Sequence, residues 1–523
     1  MFKCKQLLRR ICVVSYVFLL CGGLVNASNL VSKTNTLIGT QGNGWASGYL
    51  YPGATYPFGM VQFTPTYFTK QLGFVINQLS GAGCDHMGNF PTLPIAGALR
   101  VSPDSILNMQ TPVGKEIGTA GYYAATVDHS IRAELTVTER TGMARYTFSS
   151  KEKQGTVIIG GGVAATSIQV AAIKITGPHS CEGYAEGGAF CGIPTPYKVY
   201  FVAEFDADAE SFGTWKEERL HANHTFAEGS HSGVYFTFPL KEGNQAVQYK
   251  IGVSYVSVEN ARENLRVENP AWDFSAVRQA TQDKWNEYLG KIEVEGDNED
   301  RQMQFYTHLY RSLIHPNVCS DVNGEYMGAD SQVHKTARKF YTSFSNWDTY
   351  RTQTALIAML APEETSDIVM SHYLFAEQSG GGFPRWVLAN IETGVMQGDP
   401  TPILVANAYA FGARTYDPRT LLRTMRYGAE VPGANSQGVL TRPGLEQYLE
   451  KGYYDASILL EYTSSDFAIG RFALQACNDE PVCNWYTQRA MNWKNLFNKE
   501  TGWLQSRNED GSWKRYDADW RES

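Results

Sequence analysis

The stretch V-Q-Y-K-I-G-V-S-Y (247–255) decides the fold, because it ends a region of strand-like sequence and precedes a change of pattern near residue 260. Its apolar residues recur at every second position, which is the period of a strand with one buried face. The same alternation occurs in I-R-A-E-L-T-V-T (131–138). Together with T-V-I-I-G-G-G (156–162) and K-V-Y-F-V-A-E-F (198–205), these segments predict an N-terminal β-sandwich.

After residue 270 the apolar spacing becomes helical. Apolar residues at 303, 306, 309, 310 and 313 follow that spacing and stop before Pro316. The stretch from Thr349 to Leu360 predicts an amphipathic helix, and Asp417-Pro418 predicts the start of another. The runs 455–477 and 484–497 have the same character. The second half is therefore predicted to be all-helical, and 523 residues are enough for two or three domains.

The first 27 residues have the pattern of a secretory signal peptide. Four basic residues within the first ten positions precede the apolar run from Ile11 to Val25, and the small residue Ala27 follows. We therefore expect a secreted or periplasmic protein; lipid anchoring at Cys21 is disfavoured, because Leu20 stands where a small residue is needed. Removing four positive charges takes the formal charge from −8 to −12, which disfavours nucleic acid or anionic membrane as a partner. No other apolar stretch reaches membrane-spanning length.

Six cysteines follow this segment, and export to an oxidising compartment favours disulfides. Two local pairs are predicted, Cys181 with Cys191 and Cys477 with Cys483. Cys84 and Cys319 are then left over. Each could be a buried free thiol or one half of a long-range bridge.

Two segments have the character of a carboxylate active site: S-F-S-N-W-D-T-Y-R (343–351) and R-W-V-L-A-N-I-E-T-G-V-M-Q-G-D (385–399). They place Asp348 and Glu392 among aromatic residues and glycines. Acid catalysis needs a carboxyl group partly shielded from water, and aromatic rings stack on sugars. Each residue also has a structural interpretation. Asp348 fits a capping box begun by Ser345, Glu392 fits a solvated loop, and both Trp347 and Trp386 fit a core equally well.

Several sequence blocks in a fixed order resemble glycoside hydrolase family 92, the calcium-dependent exo-acting α-mannosidases. They include I-G-T-Q-G-N-G (38–44), Y-P-G-A-T-Y-P-F-G-M-V-Q-F-T-P (51–65), G-A-G-C-D-H-M-G-N-F-P (81–91), F-Y-T-H-L-Y-R-S-L (305–313), F-S-N-W-D-T-Y-R (344–351) and W-K-N-L-F-N-K-E-T-G-W-L (493–504). The resemblance runs from about residue 36 to the end. It implies a multidomain β + α protein, with an N-terminal β-sandwich (28–262), linker helices (263–300) and an (α/α)6 barrel (301–523).

The same resemblance implies an inverting hydrolase that releases terminal mannose from α-mannoside glycans with the help of Ca²⁺. By its place in the motif, Glu392 matches the general acid. The residues implied to bind the sugar are Trp347, Asp348, Arg351, Asp85 and His86. Inversion needs a second carboxylate to activate water, about 6.5 to 9.5 Å from the acid.

The chain also departs from the family pattern. The segment expected to carry the base, similar to Gly-Asn-Asp-Asp, is not found before the chain ends at D-W-R-E-S (519–523), which predicts a barrel that is incomplete at its C-terminus. Glu522 is assigned to the calcium site. The hypothesis that follows is an incomplete and inactive version of the enzyme. Asn43 and V-M-Q-G-D-P (395–400) also differ from common family residues, which leaves the linkage preference open.

Two alternatives of a different class stay open. The first is a disaccharide phosphorylase of similar sandwich-plus-barrel architecture, which would attack with phosphate. The second is a non-catalytic remnant that binds glycans without hydrolysing them.

Overall fold

The computed structural model describes residues 29–40, 48–65, 73–104, 113–241 and 245–515. Within these ranges a β half ends at Ser254 and a helical half begins at Val258. The strands of the first half are β1 (Ala54–Thr55), β2 (Gln62–Pro65), β3 (Phe74–Val75), β4 (Thr92–Ala96), β5 (Val113–Thr119), β6 (Tyr122–Val127), β7 (Ile131–Val137), β8 (Thr141–Thr147), β9 (Gln154–Gly160), β10 (Ile168–Gly177), β11 (Ser180–Phe190), β12 (Ile193–Phe205), β13 (Ser211–Lys216), β14 (Arg219–Ala222), β15 (Phe226–Glu228), β16 (Ser232–Pro239) and β17 (Ala246–Ser254).

Two antiparallel sheets share the main apolar core of this half. Within the described ranges, one sheet has the order β1-β2-β3-β4-β9-β16-β13-β14 and the other β15-β10-β11-β12-β17-β8-β7-β6-β5. On β7, Ile131, Ala133 and Leu135 are fully buried, whereas Arg132 and Glu134 between them are half-buried. Alternate side chains thus point to opposite faces, and the predicted β-sandwich is confirmed.

Helices dominate the second half. They are α1 (Val258–Glu268), α2 (Phe274–Leu289), α3 (Glu299–Ser312), α4 (Asn346–Thr349), α5 (Gln353–Leu360), α6 (Pro362–Ser379), α7 (Thr401–Phe411), α8 (Pro418–Glu430), α9 (Leu445–Lys451), α10 (Ala456–Cys477) and α11 (Glu480–Ala490). Between them lie the short strands β18 (Asn317–Val318), β19 (Glu325–Met327), β20 (Val333–Lys335), β21 (Tyr341–Thr342), β22 (Phe344–Ser345), β23 (Trp386–Leu388), β24 (Ile391–Glu392), β25 (Asn435–Ser436) and β26 (Val439–Leu440). The strands β27 (Phe497–Asn498) and β28 (Trp503–Leu504) follow α11. None of the described helices is both long and apolar enough to cross a membrane.

Aspartate caps set the start of four of the described helices, α2, α8, α10 and α11. Asp417 accepts the backbone N–H of Thr420 at 3.2 Å, as its pairing with Pro418 predicted. Asp479 caps α11 in the same way, so that helix begins four residues before the predicted run at 484. Asp455 caps α10, which spans almost all of its predicted range.

The predicted continuous helix from Thr349 to Leu360 is wrong in one respect. α4 ends at Thr349 and α5 begins only at Gln353. Between them the carbonyl of Tyr350 accepts a hydrogen bond from the Asn407 side chain at 2.9 Å. This contact from α7 takes a carbonyl that a continuous helix would use for its own ladder. The chain therefore turns at residues 350–352, between α4 and α5.

A buried charged cluster links α10 and α11 to the segments before α7 and α9. Asp466 is fully buried and accepts hydrogen bonds from Arg442 at 2.8 Å, Arg489 at 2.7 Å and Tyr448 at 2.6 Å. Arg442 also donates to Asp399 at 2.8 Å. Burial alone would raise the pKa of Asp466, but the two guanidinium groups hold it below its ordinary value. Removing one partner would leave a buried charge uncompensated.

The β half and the helical half are joined through Asp321. This buried carboxylate accepts hydrogen bonds from Ser254 at the end of β17 and from Asn260 and Asn264 on α1, at 2.7, 2.9 and 2.6 Å. One side chain thus fixes the last sandwich strand, the first helix and the segment after β18 together.

The structure contains a Cys84–Cys191 disulfide, so the predicted pair of Cys181 with Cys191 is wrong. β11 separates the two residues of that pair as an extended strand, and ten residues at about 3.3 Å each put them roughly 33 Å apart. The second predicted pair is also wrong. The buried cysteines with free thiols are Cys181, Cys319, Cys477 and Cys483.

A buried histidine, His86, and a half-buried one, His315, hold the loop of residues 79–84, which ends at the disulfide. Nε2 of His86 accepts the backbone N–H of Leu79 at 2.8 Å, and Nε2 of His315 accepts the backbone N–H of Ser80 at 2.9 Å. His86 lies in the β half and His315 follows α3. The 79–84 loop is therefore attached to both halves of the molecule.

Accepting an N–H requires each of these histidines to be neutral. The opposite ring nitrogens then donate, to the Cys84 carbonyl at 2.6 Å and to the Asn317 side-chain oxygen at 2.7 Å. Burial lowers the pKa of both His86 and His315 to about 4. Burial likewise lowers the pKa of His372 on α6 to about 4.

Removing the disulfide should destabilise the fold. A cross-link that closes a loop of about 100 residues contributes about 4.7 kcal/mol in the chain-entropy description, and Cys84 and Cys191 are 107 residues apart. We expect dithiothreitol to lower the urea midpoint of the wild-type protein and to leave that of the Cys84→Ser/Cys191→Ser double variant unchanged. An equal response of both proteins would contradict this assignment, as would a non-reduced peptide map that joins Cys181 to Cys191.

The neutral histidines should make stability depend on pH. Their folded pKa lies below the unfolded value of 6.5, so their contribution is complete above about pH 6.5 and is lost as pH falls toward 4. Each contributes a slope of about 1.4 kcal/mol per pH unit in that window. We expect urea unfolding at pH 7 and pH 5 to show a smaller pH dependence for His86→Gln than for wild type. His308→Gln, at an exposed position on α3, should keep the wild-type slope.

Candidate active site

A small three-stranded sheet brings together the two segments that suggested an active site. β22 pairs with β23, which pairs with β24. Ser345 lies opposite Trp386, and Val387 lies opposite Glu392. Since α4 directly follows β22, the position of Asp348 is fixed relative to Glu392 through this sheet.

A cavity of about 700 Å³ opens between the β half and the helical half. The β half contributes the 79–84 loop, Phe190 and Cys191. Phe190 stacks on Trp386 with ring centres 4.3 Å apart and an angle of 29° between the planes. The helical half contributes His308, Arg311, Gln353, Ser345, Asp348, Trp386, Val395 and Met396. Aromatic faces and polar groups on one wall suit a sugar, which has both apolar and hydroxyl surfaces.

Asp348 is exposed on the wall of this cavity. One of its carboxylate oxygens accepts the hydroxyl of Ser345. The capping-box interpretation therefore holds only in part, because Ser345 bonds to the carboxylate and makes no side-chain bond to the backbone of α4.

Trp347 and Arg351 stand beside the cavity, and neither is among the described residues that line it. The guanidinium of Arg351 lies 4.5 Å from the ring centre of Trp347 and 4.7 Å from that of Tyr350. It also pairs with Glu461 at 3.2 Å. One face of Trp347 is thus covered by a cation, which limits its use as a sugar platform here.

Glu392 is buried, with only 6% of its surface exposed, so the solvated-loop interpretation does not hold. Its Oε2 accepts the backbone N–H of Arg385 at 2.6 Å. Its Oε1 accepts those of Gly394 at 2.8 Å and Trp386 at 3.2 Å. Trp386 and Val395 line the large cavity, so the carboxylate lies immediately behind its wall.

Burial raises the pKa of the Glu392 carboxyl above its ordinary value, although the backbone N–H groups and the charge of Arg385 act in the opposite direction. A raised pKa favours the protonated form of the carboxyl, which is the form that a general acid requires. Glu392 also borders a space of about 10 Å³ with Asp399 and Thr441, which is about the size of one water molecule.

Asp85 and His86, which the resemblance implies bind the sugar, lie outside the described lining of the cavity. Asp85 is exposed next to the disulfide, outside the described lining of the cavity. His86 is fully buried, and its ring nitrogens bond to the backbone of Leu79 and Cys84. Its ring therefore supports the loop and does not face a sugar. The sequence could not indicate this, because the same D-H pair suits either role.

The metal assignment to Glu522 lies outside the described residues. Within the ranges that the structure describes, no group of three or more His, Cys, Asp or Glu side chains is arranged to hold a metal ion. Calcium binds six to eight oxygen ligands, usually with several carboxylates among them. The described residues therefore do not by themselves form a calcium site.

Three residues of the site were not singled out from the sequence. Phe190 reaches Trp386 from almost 200 positions away, and no local pattern marks it. His315 carried a weak signal, its position directly before Pro316. Arg385 stands in the quoted segment beside Trp386, but only the structure shows that its N–H binds Glu392.

Comparison with known proteins agrees with this architecture. A protein of Arthroderma benhamiae described as an uncharacterized secreted glycosidase is 25% identical, over 93% of this chain and 66% of its own length. A family GH92 α-mannosidase from Bacteroides thetaiotaomicron superposes with a TM-score of 0.85 at 24% identity, covering 93% of this chain and 68% of that one. A family GH92 inverting mannosidase from the same organism gives 0.84 at 25% identity, covering 94% and 68%.

This chain thus spans about two thirds of the length of these relatives. Residues 34–254 match the glycosyl hydrolase family 92 N-terminal domain, and residues 260–523 match the catalytic domain of that family. Because these two matches together span nearly the whole sequence, the chain belongs to glycosyl hydrolase family 92.

Proposed function

We propose that the protein is an exo-acting α-mannosidase that releases terminal mannose from α-mannoside glycans. The observation that carries this proposal is the three-stranded sheet, which sets a buried carboxylate, Glu392, directly behind the cavity wall formed by Asp348 and Trp386. Family membership supports the same chemistry, since the structural relatives are described as α-mannosidases. A second structure of the Bacteroides thetaiotaomicron α-mannosidase with the TM-score of 0.85 is a complex with mannoimidazole.

In this proposal Glu392 is the general acid. Cleavage of a glycosidic bond requires a proton on the leaving oxygen, and burial favours the protonated form of this carboxyl. To donate that proton, the side chain turns from the N–H groups of Arg385 and Gly394 toward the cavity. Asp348 accepts hydrogen bonds from sugar hydroxyls, and Trp386, which is buried against Phe190, forms part of the apolar wall beside the sugar ring.

The inverting course and the calcium dependence are further parts of the proposal, and they rest on the family resemblance. One of the structural relatives is described as an inverting mannosidase. Inversion requires a second carboxylate across the ring to activate water. We assign that role to none of the described residues.

We also propose that the protein is exported. The support is the basic and apolar pattern of residues 1–27, which lie outside the described ranges, and a relative described as a secreted glycosidase.

Glu392→Gln should remove the acid while keeping the shape of the side chain. We expect kcat on an α-mannobiose to fall by about 10² to 10⁴-fold, because general acid catalysis contributes about that much. The loss on 2,4-dinitrophenyl α-mannoside should be much smaller, since that leaving group departs without a proton. The pH profile on the disaccharide should lose its basic limb. Glu446→Gln, at an exposed site on α9, serves as the matched control.

The same assays separate the alternatives. Product formation that depends on phosphate would indicate a phosphorylase. Binding of mannobiose by calorimetry without turnover would indicate a non-catalytic glycan-binding protein. An equal loss on both substrates in Glu392→Gln would mean that Glu392 is not the acid.

Calcium dependence has its own test. We expect EDTA to abolish hydrolysis of the aryl mannoside and added Ca²⁺ to restore it, while Mg²⁺ restores less because it demands a smaller octahedral site. Proton NMR of the first product should show β-mannose if the reaction inverts. Undiminished turnover in EDTA would contradict the calcium assignment, and initial release of α-mannose would contradict inversion.

A further inference from the structure

Arg385 contacts Glu392 through its backbone and nearby carbonyl groups through its side chain. Its backbone N–H donates to Oε2 of Glu392 at 2.6 Å. Its guanidinium donates to backbone carbonyls, and no carboxylate of the described residues forms an ion pair with it. The carbonyls are those of Gly398 at 3.0 Å, Met396 at 3.1 Å, Leu440 at 3.1 Å and, more weakly, Gly394 at 3.4 Å.

Three of these carbonyls belong to one loop, residues 394–398. Positive φ angles at Gly394, Met396 and Gly398 curl this loop, so that alternate carbonyls turn toward the guanidinium. The loop also separates the acid from the cavity. The N–H of Gly394 binds Glu392, whereas Val395 and Met396 line the cavity.

The loop has little freedom to adopt another form around this cation. A Cβ at Gly398 would lie 2.4 Å from Cβ of Glu461 on α10, so the backbone there is packed directly against a helix. Arginine suits the role because its planar group carries five N–H donors in fixed directions. Lysine keeps the charge but has a single nitrogen, which cannot reach four carbonyls spread over the loop and β26.

We propose that Arg385 is a positioning residue for the reaction assigned to Glu392. By binding the carbonyls of the 394–398 loop, its guanidinium fixes the wall between Glu392 and the cavity, and with it the place from which the carboxylate acts. This inference rests on the proposed function, because it presupposes that Glu392 is the acid.

The charge of Arg385 has a second effect. It lowers the pKa of Glu392 and thereby opposes the effect of burial. Removal of the charge should raise the pKa of Glu392 and move the basic limb of the pH profile to higher pH. A purely structural role in folding would not move that limb.

The test compares Arg385→Lys, Arg385→Met and the control Arg266→Lys, at an exposed arginine on α1. For Arg385→Lys we expect kcat on mannobiose to fall about 10 to 100-fold, because a shift of the catalytic carboxylate by about 1 Å lowers the rate by about that factor. KM should stay within about threefold of wild type. For Arg385→Met we expect a similar fall in kcat and, in addition, a shift of the basic limb of the pH profile to higher pH. The control should match wild type, and thermal melting identifies any variant that fails to fold.

A second measurement keeps this inference separate from the proposed function. The titration of Glu392 can be followed by carboxyl NMR on protein labelled with [δ-¹³C]glutamate, using Glu392→Gln to assign the signal. We expect a higher pKa in Arg385→Met and a value near wild type in Arg385→Lys. An inactive wild-type protein would overturn the proposed function only. Unchanged Glu392 titration in folded Arg385→Met, or kcat in Arg385→Lys equal to or above wild type, would overturn the role of Arg385.

Discussion

The arrangement of the site depends on a carboxylate that is removed from water. Burying a charged or polar group is costly unless donors meet it, and Glu392 is met by the N–H groups of Arg385, Trp386 and Gly394. These N–H groups point at the carboxylate only because the chain turns back on itself between β23 and β24 and curls again after Gly394. One buried side chain therefore dictates the local backbone, and that backbone in turn forms the cavity wall.

The cavity itself belongs to neither half of the molecule. The sandwich supplies a loop closed by the Cys84–Cys191 disulfide and held by His86, and the helical half supplies the opposite wall. The two walls touch where Phe190 stacks on Trp386 and where His315 binds the backbone of Ser80. The two halves must be rigidly joined for such a site to keep its shape, and the hydrogen bonds of Asp321 to β17 and α1 provide one such joint.

Local patterns predicted the elements well where one period dominated. The alternation on β7, the helix start at Asp417 and the helical run 455–477 were found as expected. The prediction of one helix from Thr349 to Leu360 failed because a side chain from α7 competes for a backbone carbonyl. The disulfide prediction failed for a related reason: closeness in sequence is not closeness in space along an extended strand.

The two-part architecture, the family, and Glu392 and Asp348 as candidate residues could all be predicted from the sequence, because periodicity and ordered motifs are local properties. How these residues are used depends on contacts between distant segments, which local patterns do not contain. The tertiary structure turned His86 away from the cavity, covered Trp347 with Arg351, and placed Arg385 around the loop that backs Glu392. The physical reason is that burial, and the partners that compensate it, are set by segments far apart in the chain.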